Sequence, residues 1–181
     1  MNLYECSLTE YLKYRGLYFY HIEELEKFFT PNDNPYKNFD LLVPGDNQNL
    51  LIEIKGRKAS GKSKMRFENW VTGDDIQSLM YWEKKFGQRF KGVFCFVYKI
   101  EPDLPPANTE CTAFTFNNLR FAFLGIELSR YITESTLRSV KWNTFSLPSK
   151  VFVKYAKPIE HFLSAKNSEL EFREIEQTFA D

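Results

Sequence analysis

The sequence predicts an α/β fold, with a mixed central β-sheet flanked by helices. Three observations predict it. Segments with apolar residues at helical spacing alternate with short apolar runs of strand length. The run from Val93 to Tyr98 is apolar on both alternating faces, as a strand covered on two sides requires. Between two strand-like runs, Pro44-Gly45-Asp46-Asn47 is a turn signal, so at least one strand pair is antiparallel.

The elements follow in chain order. Ser7-Leu8-Thr9-Glu10 matches a capping box, so a short helix is expected from there to about Arg15, ended by Gly16. From Tyr18 to Phe29, apolar residues at Tyr18, Ile22, Leu25, Phe28 and Phe29 have the spacing of a second helix with one buried face. Glu24 flanks that face, Glu23 points farther away, and His21 reads as a packed core histidine.

Pro31-Asn32-Asp33-Asn34-Pro35 breaks the chain before a strand over Asn38 to Val43. Leu50 to Gly56 returns antiparallel after the turn. A symmetric hairpin here pairs residues whose numbers sum to about 93, which sets Asp40 beside Glu53. On the returning strand Leu50, Ile52 and Ile54 share one face, and Glu53 and Lys55 share the other.

Residues 57 to 72 are polar and basic and read as a mobile loop. Ile76, Leu79, Met80 and Phe86 give an amphipathic helix from Gly73-Asp74 to Gly87, and the strand through Val93 to Tyr98 follows. Phe114 to Phe121 resembles a hairpin about Asn117-Asn118. Val140 to Leu147 is a further strand candidate, and Pro158 opens a last helix.

Composition bounds the function. Of 181 residues, 43% are hydrophobic and 17% aromatic, which is enough to bury a core, and the whole chain reads as one domain. No apolar run approaches the roughly 20 residues of a membrane helix, so the expected location is the cytoplasm with no membrane partner. Cys6, Cys95 and Cys111 lack zinc-site spacing and read as reduced, Cys95 in the core. A net charge of zero argues against tight, indiscriminate nucleic-acid binding. Yet residues 55 to 91 carry ten basic side chains against four acidic ones, beside the Glu53 strand.

Two carboxylates meeting on a half-buried hairpin repel each other and cost several kcal/mol of desolvation, so something must compensate. A divalent cation does this, since Mg²⁺ takes a few carboxylate oxygens and completes its shell with water or phosphate oxygens. Lys55 beside such an ion can hold a scissile phosphate and orient the attacking water. The pattern outlines a phosphodiester hydrolysis site.

Asp40, then Glu53-Ile54-Lys55 on the next strand, then a helix carrying Gln77, resembles the PD-(D/E)XK nuclease superfamily, with its restriction-endonuclease-like fold. The similarity spans about residues 18 to 98 as core. Residues 99 to 165 are then a C-terminal elaboration, and 166 to 181 an acidic tail. The resemblance implies Asp40 and Glu53 as metal ligands, helped by the carbonyl of Ile54, and Lys55 as the catalytic lysine. It implies Gln77 as the helix residue facing the site and Glu24, or else Glu23, as the first-helix carboxylate. Phe39 stands where the family's name has Pro.

The implied function is a Mg²⁺- or Mn²⁺-dependent nuclease acting on nucleic acid, DNA ahead of RNA, with Arg57, Lys58, Lys62 and Lys64 on the backbone. A homodimer is compatible with this, because many relatives cut two strands. The alternative is a noncatalytic nucleic-acid- or protein-binding module on the same fold.

Gly56 followed by Gly61-Lys62-Ser63 fits phosphate-loop spacing, but Arg57 and Lys58 crowd the loop and no apolar helix begins at Lys62. Trp70, Trp82 and Trp142 could stack on bases or pack a core, and stay unassigned.

Overall fold

The computed structural model describes residues 1–22, 36–59, 67–101 and 113–163. Helix α1 (Leu3–Tyr14) begins earlier than its sequence pattern suggested. Its N-cap is Asn2, whose side chain accepts from the Tyr4 and Glu5 amides while Glu5 reaches back to the Asn2 amide at 2.9 Å. Ser7 and Thr9 lie inside the helix and donate to the carbonyls of Tyr4 and Cys6. Gly16, at a φ of 68°, lies just past the helix end, as expected.

Part of the expected second helix is instead strand. Tyr20 and His21 form β1, an edge strand pairing antiparallel with β2 (Leu41–Val43). Ile22 has helical backbone, whereas Glu23 and Glu24 lie outside the described residues. β2 pairs antiparallel with β3 (Asn49–Lys58), and the partners Leu41–Ile52, Leu42–Leu51 and Val43–Leu50 each sum to 93. The hairpin register anticipated from the turn is the one formed.

β3 runs to Lys58, so the expected loop starts later, and residues 60–66 with Lys62 and Lys64 lie outside the described residues. Two-residue β4 (Val71–Thr72) leads into α2 (Gly73–Phe86), capped by Thr72 at its start and ended at Gly87 with a φ of 86°. The crossover returns the chain to β5 (Phe90–Ile100), parallel to β3 over ten residue pairs from Asn49–Phe90 to Lys58–Lys99. β6 (Phe114–Phe116) and β7 (Leu119–Glu127) form the predicted hairpin, with Asn117 and Asn118 both at positive φ as a two-residue turn of this kind needs. β7 pairs antiparallel with β5, which places β5 in the middle of the sheet.

After α3 (Leu128–Glu134) come β8 (Thr136–Ser139) and β9 (Thr144–Ser146), so the expected strand from Val140 is a turn followed by a shorter strand. Helix α4 (Ser149–Tyr155) and β10 (Lys157–Pro158) follow. Pro158 opens only a single 3₁₀ turn, Ile159–His161. The main sheet has the order β1-β2-β3-β5-β7-β10 with β6 beside β7, and a second sheet has the order β4-β9-β8. The result is a mixed α/β sheet with helices on both faces. Hairpin (β2–β3), crossover helix (α2) and parallel strand (β5) follow one another in chain order.

Alternation along β3 sends side chains to two cores. Leu50, Ile52 and Ile54 pack with Leu8, Tyr11 and Leu12 of α1. On the other face, Leu51 packs with Leu79, Trp82 and Phe86 of α2. Glu53 and Lys55 share the α2 face with Leu51 by parity. Gly56 is required where β3 passes under α1, because a Cβ there would collide with the Tyr4 ring. Cys95 is buried and Cys6 half-buried, both as free thiols, and Cys111 lies outside the described residues.

Candidate active site

Asp40 sits one residue before β2, where the hairpin ladder ends. Its amide donates to the carbonyl of Ile52 at 3.0 Å, and its carboxylate accepts the amide of Ile54 at 2.6 Å. The side chain thereby takes the place that the next β2 carbonyl would have filled. This pins a carboxylate beside Glu53, the residue that faces Asp40 in the 93-sum register.

Both acids are largely removed from water. Burial pushes the Asp40 carboxyl up to about 6, with the Ile54 amide pulling it down and the charge of Glu5 pushing it further up. Burial raises Glu53 to about 7, and the negative charge of Asp40 adds to the lift while Lys55 opposes it. For both acids burial is the main penalty on the charged form, and it outweighs the favourable Ile54 amide and Lys55 ammonium.

Lys55, with 16% of its side chain exposed, places its ammonium 2.7 Å from Glu53 Oε1 and 3.0 Å from Asp75 Oδ2. Burial favours its neutral form, but the two carboxylates outweigh this and hold its pKa above the ordinary lysine value. Asp75 belongs to the first turn of α2. Its carboxylate accepts the Thr72 amide at 2.9 Å, and its own amide donates to the Thr72 hydroxyl at 3.1 Å. Lys37 approaches its other oxygen at 3.4 Å. Burial would raise Asp75, yet Lys55 and the Thr72 amide overcome it and the pKa falls.

The structure therefore brings Asp40, Glu53, Ile54 and Lys55 together. Gln77 lies on the exposed side of α2, since two residues along a helix turn it about 200° from Asp75. Sequence reasoning missed Asp75. Its signal was the T-x-x-D spacing from Thr72, a capping pattern whose acid also meets the lysine. Glu5 was missed as well: it shares with His21, Asp40 and Ile54 a depression of about 230 Å³ at the sheet edge.

Arg57 is half-buried and tied down. Its guanidinium stacks 4.1 Å over the Trp70 ring and donates to the carbonyls of Trp70 and Gly56, while its Nε finds no partner among the described residues. Lys58 is exposed.

The donor set suits a hard divalent cation. Two desolvated carboxylates, with the charge of Asp40 raising Glu53 and that of Glu5 raising Asp40, offer the oxygens Mg²⁺ or Mn²⁺ prefers. Asp40, Glu53 and the Ile54 carbonyl would hold it. Among the described residues, no three His, Cys, Asp or Glu side chains already converge in ligating geometry.

In architecture, then, the chain is a mixed α/β fold carrying an acid–acid–lysine cluster on its central hairpin. Among solved structures it is similar to Hjc of Archaeoglobus fulgidus, a Holliday junction resolvase from an archaeal hyperthermophile, with 14% identity and a TM-score of 0.48 over 90% of this chain and 98% of that one. No protein-family model matches the chain, and no curated protein matches it. Among the described residues, no helix is long and apolar enough to cross a membrane.

Proposed function

We propose that the chain is a Mg²⁺- or Mn²⁺-dependent nuclease that hydrolyses phosphodiester bonds in nucleic acid, DNA ahead of RNA, in the cytoplasm. The observation that carries this reading is the ladder-ending position of Asp40 beside Glu53, with Lys55 bonded to Glu53 on the same strand face.

A divalent ion held by Asp40, Glu53 and the Ile54 carbonyl would polarise the phosphate and lower the pKa of a bound water. The protein's own groups do the rest. Lys55 is aimed by two carboxylates, so its ammonium can offer a remaining proton to a non-bridging phosphate oxygen and offset charge in the transition state. Asp75 positions Lys55 from the helix. Glu24 remains the supporting carboxylate the family resemblance implies, whereas Gln77 faces away from the cluster and Asp75 takes the helix position. Arg57, Lys58, Lys62 and Lys64 hold the nucleic-acid backbone, and a homodimer would allow two strands to be cut.

The test is cleavage of labelled DNA and RNA substrates with and without Mn²⁺. Wild type should cleave only with metal, and Lys55→Ala and Asp40→Ala should each lose about 100-fold or more. Equal cleavage by all three proteins, or none by wild type on any substrate, removes the enzymatic claim. A noncatalytic binding module is the second reading, favoured by one observation: Lys55 is already engaged by two carboxylates, as in a purely structural charge cluster. Binding without cleavage selects it.

A further inference from the structure

The segment from Leu128 to Lys157 holds six basic residues, Arg130, Arg138, Lys141, Lys150, Lys154 and Lys157, against the single acid Glu134. All six are exposed. In a chain of zero net charge this is a local concentration of positive charge, separate from the one around Lys55. Only Arg130, with Glu134 at 3.3 Å, and Arg138, with Glu68 at 3.8 Å, have carboxylate partners among the described residues.

The same segment displays aromatic and apolar surface. Of the three tryptophans, Trp82 is 1% exposed and Trp70 is pinned under Arg57, whereas Trp142 is 68% exposed. Trp142 lies in the turn between β8 and β9, next to Val140 at 82% exposure, with the Lys141 ammonium 5.1 Å from its own ring. Leaving a tryptophan and a valine in water at a hairpin tip has no packing rationale.

This hairpin is seated against the candidate site. β9 pairs with β4, and the Asn143 carbonyl accepts the Gly73 amide at 2.8 Å, at the start of the helix whose Asp75 holds Lys55. Gly73 is needed there, because a Cβ would strike the Asn143 side chain. From the other side, the Arg138 guanidinium lies 5.7 Å over the Trp70 ring, which also carries Arg57, two residues along β3 from Lys55 on the same face.

We propose that the β8–β9 hairpin is a nucleic-acid contact surface that receives an unpaired base on Trp142 while Lys141 beside it engages the adjoining phosphate and the exposed Lys150 and Lys154 of α4 meet phosphates farther along the strand. It rests on the nuclease reading for its biological sense, and it names the substrate class as nucleic acid with single-stranded character beside the scissile bond. Stacking selects unpaired bases because a duplex offers its faces only at its ends. The cations supply the sequence-independent part of the affinity.

The experiment uses the full chain in EDTA, so that cleavage plays no part. Fluorescence anisotropy compares a dye-labelled single-stranded oligothymidylate with a duplex of the same length, for wild type, Trp142→Ala, Trp142→Phe and the triple change Lys141→Ala/Lys150→Ala/Lys154→Ala. Wild type should prefer the single strand. Trp142→Ala should weaken that binding about tenfold and Trp142→Phe much less, as expected for base stacking. The triple variant should flatten the salt dependence of log K by about two, at roughly 0.7 per lost phosphate contact. Circular dichroism confirms folding, which an exposed position should not disturb.

Unchanged binding by Trp142→Ala and by the triple variant overturns the proposal. So does no oligonucleotide binding by wild type, or Trp142-dependent binding to anionic vesicles in its place. Metal-dependent cleavage with Trp142-independent binding would sink the surface and leave the nuclease. Trp142-dependent binding without cleavage would do the reverse.

Discussion

Replacing Glu53 with Gln should make the metal-free protein more stable at neutral pH, although the change removes a 2.7 Å ion pair with Lys55. The reason is the sign of the pKa displacement. Glu53 is lifted from 4.5 to about 7, and Asp40 from 3.8 to about 6, so the folded state holds protons that the unfolded chain has released. Below the ordinary carboxylate value both states are protonated and no penalty exists. The penalty grows as pH rises from about 4.5 to about 7 and is complete above that. At about 1.4 kcal/mol per pH unit, the lift of Glu53 costs about 3 kcal/mol. Asp40 adds less than its own lift, because its charge is already counted in the displacement of Glu53.

The assay is urea unfolding from pH 4 to 8 in EDTA, followed by tryptophan fluorescence. Wild-type stability should fall between about pH 4.5 and 7, and Glu53→Gln should flatten that fall and exceed wild type by up to about 3 kcal/mol at pH 8. Adding Mn²⁺ should then stabilise wild type, by about 2.7 kcal/mol at a hundredfold excess over Kd, and leave the variant little changed. A stability that is flat or rising across this range, or a Glu53→Gln protein weakened by 1 kcal/mol or more, refutes the reasoning. Either result would mean that the Lys55 pair outweighs burial and repulsion.

Three further expectations test the frame around the site. Asp75→Ala removes the reciprocal cap on Thr72 and one of the two partners of Lys55, so denaturant unfolding should show a loss of about 2 kcal/mol, with Asp75→Asn retaining part of it. Gly56→Ala should cost about 1–3 kcal/mol through collision with Tyr4, and a double-mutant cycle with Tyr4→Ala should recover most of it. Tyr131→Phe strips the hydroxyl that reaches the carbonyls of Asn69 at 2.7 Å and Phe145 at 2.9 Å, joining the second sheet to the core. Thermal melting should show a loss of about 1–3 kcal/mol.

Where a fold element announces itself by local chemistry, the sequence was readable. The Pro44–Asn47 turn set the β2–β3 register, Asn117-Asn118 set the β6–β7 hairpin, and the doubly apolar run from Val93 located the central strand. Elements decided by distant partners were not. Tyr20 and His21 carry helix-compatible spacing, and only the exposed edge of β2 makes them a strand. Two residues are too few for a period of two to show. The small sheet joins β4 to β9 across more than seventy positions, a pairing that no local pattern encodes. The start of α1 was misplaced because Leu8, Tyr11 and Leu12 fit a helix begun at either Asn2 or Ser7, and only the cap geometry separates the two.

The site shows the same division at finer scale. Asp40, Glu53 and Lys55 were legible because strand parity and a symmetric turn fix which side chains meet, and both follow from residue numbers alone. The helix contribution depended on rotation about α2, which the strands do not specify. Gln77 and Asp75 are two residues apart, and a rotation of about 200° decides which one reaches Lys55. Burial decided it: Leu79, Trp82 and Phe86 must face the sheet, and Asp75 lies on their side, one turn ahead of Leu79. Thr72 then ties down the carboxylate that Lys55 meets. An acid that caps its own helix and also holds a strand lysine couples the start of α2 to the cluster on β3. A substitution at Thr72, which touches none of the three strand residues, should therefore alter the position of Lys55 and be detectable as a change in the pH dependence of cleavage.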